Sequence, residues 1–235
     1  MKLQYLGDSR DAFKWDLLHW LVSETDPPFS KLVVIPMLTP DDEVPHDGMT
    51  PAKLFASRPE ISNFLKVLAK LPRTLEGIAN LGSLDGLRQF KVQVHEAQRY
   101  IGSGKKREAY WKSFRSETQE STLVFADPDN GLESKTKRAE KWLRYDEVRK
   151  ILEKLPQTSA LVVYQHRPQR EKWQSALPKI KSQCTFPYQA FSICESNLAF
   201  IVFTTGKETH DRLLACAKCY IKDHPGLEVK AFESL

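Results

Sequence analysis

The segment Ser121-Thr-Leu-Val-Phe-Ala126 runs directly into Asp127-Pro-Asp-Asn-Gly131. The apolar and β-branched residues of the first part predict a strand, and the polar residues that follow would lie at its end. There Pro128 would stiffen the turn, and Gly131 would allow a positive φ or the close approach of a ligand. The same residue types also make ordinary turns, so a purely conformational role stays open.

Strands and helices are predicted to alternate around this segment. Buried strands are indicated at Lys31–Leu38 and Ala160–Tyr164, and helical periodicity is found before or after each of them. Such alternation predicts an α/β fold with a doubly wound, mostly parallel, Rossmann-like sheet that carries helices on both faces. The last two predicted strands, Tyr188–Ile193 and Asn197–Thr204, indicate a C-terminal antiparallel hairpin.

Length and composition narrow the class of protein. The 235 residues include 35 Lys+Arg and 30 Asp+Glu, a formal net charge of +5, and 41% hydrophobic residues are typical of a globular chain rather than a disordered one. We expect one α/β domain over residues 1–235, in which 72–118 is a possible helical and basic insertion. The apolar runs are too short to span a bilayer and the first residues carry no signal-peptide pattern, so we expect a cytoplasmic protein without a membrane partner.

Two other predicted strands also end in polar residues. Asp41 and Asp42 belong to an acidic loop after the strand Lys31–Leu38, and His166 follows the strand that comes after Asp127. Ligand sites of open α/β sheets lie at the carboxyl ends of the strands, so we expect these side chains near Asp127. Several carboxylates in one crevice need a cation or shared protons, and an imidazole there can act as acid, base or ligand. A solvated acidic loop and a structural histidine are the alternatives.

The N-terminal segment Gly7-Asp8-Ser-Arg-Asp11-Ala-Phe-Lys14 is predicted to begin a helix. Asp8 is a suitable N-cap, and an acidic residue in the first turn is favourable because the helix dipole is positive there. Lys14 lies three residues after Asp11, on the same face of the helix. A cation this close to the start of a helix opposes the dipole, which suggests that Lys14 has a partner.

Two basic segments carry aromatic residues among their cations. The first is a turn and helix from Gly102 to Arg115, and the second runs from Lys135 to Arg144. Cations can hold phosphates while aromatic rings stack on bases, so the pattern indicates a nucleic-acid surface, RNA or DNA. Amphipathic helices with their rings in the core would show the same pattern. The cations predicted to contact nucleic acid are Lys105, Lys106, Arg107, Lys135, Lys137 and Arg138.

The motifs taken together resemble those of a family of uncharacterised bacterial proteins. The shared pattern is Gly7-Asp8-x-x-Asp11-x-x-Lys14, Asp127-Pro-Asp-Asn-Gly-Leu132 and Tyr164-x-His166, in the same order and at similar spacing. More distantly, the layout resembles the large-subunit ribosomal RNA adenine-N6 methyltransferases of the J type, which have the class I methyltransferase fold. Those enzymes begin with Gly-Asn-x-x-Asp-x-x-Lys-His and end their fourth strand in Asp-Pro-Pro-Tyr.

The second resemblance implies an S-adenosylmethionine-dependent enzyme that methylates the amino group of adenine in a nucleic acid. In such enzymes the Asp and the proline carbonyl accept the amine hydrogens while the aromatic ring stacks on the flipped base. This chain has Asn130 in place of that tyrosine, and no glycine between its first predicted strand and Gly48. The implied catalytic residues are Asp127, Asp129, Asn130 and His166, and the implied cofactor-binding residues are Asp8, Asp11, Lys14, Asp41 and Asp42.

The sequence leaves two alternatives to methyl transfer open. In the first, the protein is a metal-dependent nuclease or phosphodiesterase in which Mg²⁺ or Mn²⁺ is held by Asp127, Asp129 and either Asp41 or Asp42, and His166 activates water. In the second, the fold has lost catalysis and only binds nucleic acid or a protein partner. The two enzymatic hypotheses place the functional site at the carboxyl ends of the strands.

Overall fold

The structure, a computed structural model, describes residues 2–40, 58–83, 91–114, 120–133, 140–168 and 170–232. Over these residues the protein is a mixed α/β structure with a seven-stranded central sheet and a separate pair of two-residue strands. The strands are β1 (Lys31–Ile35), β2 (Lys91–Val94), β3 (Thr122–Ala126), β4 (Gly131–Leu132), β5 (Trp142–Leu143), β6 (Ala160–His166), β7 (Gln189–Cys194), β8 (Leu198–Thr204) and β9 (Glu228–Ala231).

The central sheet is mostly parallel, with antiparallel strands at its C-terminal end. Its strand order is β2-β1-β3-β6-β8-β7-β9. β2, β1, β3 and β6 pair in parallel, whereas β8 is antiparallel to both of its neighbours and β9 is antiparallel to β7. The predicted hairpin is therefore confirmed, and its second strand, β8, is the one that joins β6. β2 lies on one side of β1, and the chain then crosses to the other side to form β3. A topological switch point therefore lies between β1 and β3.

Seven α-helices in the described residues cover the two faces of the sheet. They are α1 (Ser9–Ser23), α2 (Ser62–Leu68), α3 (Leu75–Ala79), α4 (Gly104–Lys112), α5 (Tyr145–Leu152), α6 (Trp173–Gln183) and α7 (Lys207–Tyr220). None of these helices is long and apolar enough to cross a membrane.

Burial on both faces explains the continuous apolar strands. In β1, Leu32 and Val34 pack into a core with α1, α2 and α7, while Val33 and Ile35 pack into a second core with α4, α5 and α6. Alternate residues of a strand point to opposite faces, so a strand covered on both sides must be apolar at every position. Each such side chain contributes about 1.5–3 kcal/mol when it is fully buried.

The predicted strands are present, but two of them have other ends: β1 stops three residues before Leu38, and β6 continues past Tyr164, so His166 is its last residue rather than the residue after it. β1 ends at Ile35, so Pro36 lies at the strand exit, where it removes no donor from the sheet. The segment 72–118, considered as a possible insertion, supplies β2 to the central sheet and α4 to one of its faces. The sequence did not indicate α3 or β9.

Candidate functional site

A cavity of about 300 Å³ lies where the carboxyl ends of β3 and β6 meet the beginning of α1. β3 borders the switch point of the sheet, which is the usual place for a ligand in an open α/β fold. Among the described residues that line it, four are acidic and four are basic, and the others are His166, two tyrosines, Asn130 and Pro128. Most of the residues predicted for the site belong to this lining.

The turn before α1 fixes the acidic side of the cavity. Asp8 is the N-cap of α1, and its Oδ1 accepts hydrogen bonds from the backbone N–H groups of Arg10 and Asp11, both at 2.9 Å. The backbone N–H of Gly7 donates to Asp11 Oδ2 at 2.8 Å. Gly7 has a φ of +78°, and a Cβ there would lie 2.7 Å from the Cα of Ala69. A glycine is therefore required at this turn by both its conformation and its packing.

Lys14 is the centre of the site. Its Nζ donates to Asp11 Oδ1 at 2.6 Å and to Asp127 Oδ2 at 2.7 Å, which joins α1 to the end of β3. Burial opposes the charge on Lys14, but the carboxylates of Asp11 and Asp127 outweigh it and raise the pKa of the ammonium. The Nζ also lies 5.4 Å from the ring centroid of Tyr164. The partner suggested for Lys14 by its position near the helix start is thus confirmed.

Hydrogen bonds also join the exits of β1 and β3. The backbone N–H of Asp127 donates to the carbonyl of Ile35 at 2.9 Å, which continues the pairing of the strands by one residue. The hydroxyl of Thr39 donates to Asp129 Oδ2 at 3.0 Å, and the Nζ of Lys2 lies 3.8 Å from the same oxygen. Asp129 is therefore held by residues from two other parts of the chain.

Gln165 locks the turn that follows Asp127. Its Oε1 accepts from the backbone N–H of Leu132 at 2.7 Å, and its Nε2 donates to the carbonyl of His166 at 2.7 Å. Gly131 has a φ of +99°, and a Cβ there would overlap the carboxamide of Gln165. The backbone N–H of Asn130 donates to the carbonyl of Lys141 at 2.9 Å, which ties the turn to the segment before β5.

His166 and Tyr164 form the β6 side of the cavity. Burial, and then the positive charge of Arg10, lower the pKa of His166 to about 4, so the imidazole is neutral at physiological pH. Its ring makes an edge contact with Tyr164, with centroids 5.0 Å apart. No hydrogen-bond partner for the imidazole is found among the residues that the structure describes. Burial also raises the pKa of Tyr164, which keeps the phenol protonated.

The structure brings together seven of the predicted site residues. Two further predicted residues, Asp41 and Asp42, lie outside the described residues, as do the basic residues Lys135, Lys137 and Arg138. Lys105 and Lys106 are exposed on α4, away from this cavity. The seven that line the cavity are Asp8, Asp11, Lys14, Asp127, Asp129, Asn130 and His166.

The prediction that Arg107 contacts nucleic acid is wrong. Arg107 is 2% exposed, and its guanidinium forms two hydrogen bonds with the carboxylate of Glu147, at 2.6 and 2.7 Å. A third hydrogen bond, at 2.7 Å, goes to the carbonyl of Trp142. The guanidinium is therefore paired inside the protein rather than free to bind a phosphate.

Some cavity residues were missed by the sequence analysis. Arg10 and Lys141 line the cavity, and Gln165 accepts a hydrogen bond from the backbone of the turn that follows Asp127. Gln165 could have been found from the sequence, because it is the middle residue of the Tyr164-x-His166 motif. Arg10 is likewise one of the two residues between Asp8 and Asp11 in the N-terminal motif.

The described exit of β1, Pro36 to Pro40, has no glycine-rich turn of the kind that lets S-adenosylmethionine approach the backbone in an open α/β fold. Here Met37 and Leu38 are fully buried, and the carbonyl of Leu38 accepts a hydrogen bond from the backbone N–H of Ile101 at 2.9 Å. This backbone is therefore already covered and paired.

The cavity also offers little to a divalent metal ion. Within the described ranges, no group of three or more His, Cys, Asp and Glu side chains has an arrangement that could hold one. The ammonium of Lys14 already occupies the space between the carboxylates of Asp11 and Asp127, which is where these two side chains would bind a metal ion.

No protein-family model matches the chain, and no curated protein is similar to it.

Proposed function

We propose that the cavity is the acceptor site of a methyltransferase that acts on an amino group of a nucleic-acid base, with adenine as the base. S-adenosylmethionine is the methyl donor that the sequence resemblance implies. In this proposal the residues that line the cavity hold the base that accepts the methyl group. The observation that carries the proposal is the Lys14–Asp127 pair on the wall of a cavity at the switch point of the sheet.

The topology supports this proposal. Class I methyltransferases end in strand, helix, strand, helix and an antiparallel hairpin, and β3, α5, β6, α6 and the β7–β8 hairpin follow that order. Asp127 comes directly after β3, as the Asp of the Asp-Pro-Pro-Tyr motif does after its strand. Fold resemblance alone is weak support for a function, so the side chains must carry the rest.

The side chains can recognise an amino group. Asp127 and the carbonyl of Pro128 are hydrogen-bond acceptors at the cavity wall, and Lys14 fixes the orientation of the Asp127 carboxylate. Asn130 cannot stack on a base, but Tyr5 also lines the cavity and supplies a ring. The neutral imidazole of His166 accepts the proton that the amino group loses on methylation.

A methyl-transfer assay with matched variants tests the proposal. The assay measures the transfer of tritium from labelled S-adenosylmethionine to unmethylated RNA and DNA. Asp127→Asn removes the carboxylate but keeps its shape, and we expect at least a hundredfold loss of transfer, the order expected when a positioned polar group is removed from a reacting centre. Asp223→Asn removes an exposed carboxylate that lies after α7 and lines neither concave site, so this variant should transfer as the wild type does.

Two results would overturn the proposed function. One is the absence of tritium transfer to either nucleic acid by the wild-type protein, together with no binding of S-adenosylmethionine by calorimetry. The other is equal transfer by Asp127→Asn and Asp223→Asn.

A further inference from the structure

A second concave site lies between α4 and α5, outside the proposed acceptor cavity. This groove has a volume of about 430 Å³. Among the described residues that line it, five are basic and three are acidic. Glu147 is already paired with the buried Arg107, and Asp146 with Lys150 at 3.2 Å. The groove therefore has an excess of positive charge.

Two hydrogen-bond donors in the groove have no acceptor. The Nε of Arg144 and the indole Nε1 of Trp111 are both shielded from solvent, and neither has a hydrogen-bond partner in the described part of the chain. Shielded donors of folded proteins are nearly always paired, so two of them in one groove indicate a ligand that brings acceptor atoms. The guanidinium of Arg144 is suited to phosphate oxygens because of its planar set of donors.

Aromatic rings accompany these donors. Trp111 and Phe114 both line the groove, and the Nζ of Lys154 lies 5.5 Å from the ring centroid of Phe114 while donating to the carbonyl of the same residue at 2.8 Å. Rings next to cations are typical of sites where bases stack and the adjoining phosphates are neutralised. A nucleotide carries both a flat ring and an acceptor-rich anion.

A short stretch of chain connects the groove to the acceptor cavity. Lys141 lines the cavity and Arg144 lines the groove, with β5 between them. Three residues of extended chain span at most about 11 Å, so one strand of nucleic acid can touch both sites.

We propose that the groove between α4 and α5 binds a nucleotide of the single strand whose target base enters the acceptor cavity. This proposal rests on the proposed function, because it assigns the groove to the same substrate. The phosphate of that nucleotide pairs with Arg144, and its base lies against Trp111. A free nucleotide has the same chemistry, and the test separates the two sources.

Fluorescence anisotropy with a labelled single-stranded RNA of about 12 nucleotides tests this site at several salt concentrations. Arg144→Gln should raise the Kd about tenfold. It should also lower the slope of log Kd against log salt by about one, the change expected when one phosphate contact is lost. Arg149→Gln is the matched control, because it removes a charge from the same helix at an exposed residue that does not line the groove. We expect its Kd within about twofold of the wild-type value. Thermal melting checks that both variants are folded.

Two outcomes would overturn the groove proposal. One is an equal change in affinity for Arg144→Gln and Arg149→Gln. The other is displacement of the RNA by adenosine monophosphate at equal nucleotide concentration, which would assign the groove to a free nucleotide.

The failure of this proposal can be distinguished from failure of the proposed function. If Arg144→Gln binds RNA as the wild type does while the wild type still transfers methyl groups, only the groove assignment is wrong. If Arg144→Gln weakens RNA binding but no methyl group is transferred, the groove is supported and the proposed reaction is wrong.

Discussion

The protein contains two buried pairs of a cation and a carboxylate that differ in what surrounds them. Arg107 and Glu147 form a closed pair, in which the remaining donors of the guanidinium go to backbone carbonyls next to β5. Lys14 lies between Asp11 and Asp127 on the wall of a cavity. The closed pair fastens α4 to α5 and the segment before it, whereas the Lys14 pair holds the Asp127 carboxylate at the wall of the cavity.

This difference shows that burial and charge alone do not identify a functional residue. Arg107 and Lys14 are both buried, with 2% and 6% of their surface exposed. What separates them is that the Arg107 guanidinium is bound by Glu147 and by backbone carbonyls, whereas Asp127 lines a cavity at the strand ends together with His166 and Arg10. A buried ion pair that faces a cavity at a strand end is the better candidate for chemistry.

The largest loss of stability is expected when the closed pair is broken. Arg107→Met leaves the carboxylate of Glu147 buried without its cation, and we expect unfolding free energy to fall by about 3–5 kcal/mol. Lys105→Met, two residues earlier on α4 and exposed, should change it by no more than about 0.5 kcal/mol. Urea unfolding measures both variants. A loss for Arg107→Met as small as that for Lys105→Met would contradict a closed structural pair.

A smaller loss of stability is expected at the open pair. Lys14→Met also removes a buried cation, but water in the cavity can hydrate Asp127, and Asp11 keeps its hydrogen bond from Gly7. We expect the unfolding free energy to fall by about 2 kcal/mol, less than for Arg107→Met. Methyl transfer should nevertheless be lost, because Asp127 is no longer oriented. A variant as unstable as Arg107→Met would remove the contrast between the two pairs.

The smallest of these effects concerns the pH dependence of stability at His166. Its pKa is about 4 in the folded protein, below the usual value of 6.5, so the unfolded chain binds more protons between these values. Stability from this group is present above about pH 6.5 and is lost as the pH falls towards about 4. His166→Asn should therefore reduce the loss of unfolding free energy between about pH 7 and about pH 5 by about 1 kcal/mol, after a discount for partial hydration. Identical pH profiles in urea unfolding would show that the imidazole is not desolvated.

The sequence predicts much of the sheet and the start of the site because these depend on local rules. β1 and β3 are apolar at every position since helices cover both faces, and Asp8 is followed by a helix that needs an N-cap. The placement of Asp127 at the end of β3 follows directly from the strand pattern. The hairpin β7–β8 could be predicted for the same reason.

Other features depend on contacts between distant residues and could not be predicted. β9 is only partly buried and pairs with β7, 34 residues earlier at the register Cys194 to Glu228, so its own pattern is weak. The burial of Arg107 depends on Glu147, and the neighbouring Lys105 is exposed although both belong to one basic run. Only the three-dimensional packing decides which cation of such a run turns inward.

The central claim is that Asp127 holds the amino group of a base in the cavity, and a comparison of two oligonucleotides tests it most directly. One carries a single adenine among pyrimidines, and the other carries purine, which lacks only the amino group, at the same position. We predict that the wild-type protein binds the adenine strand about tenfold more tightly, since loss of one hydrogen-bonded group costs about 1–3 kcal/mol. Equal affinity for the two strands in anisotropy titrations would contradict the claim.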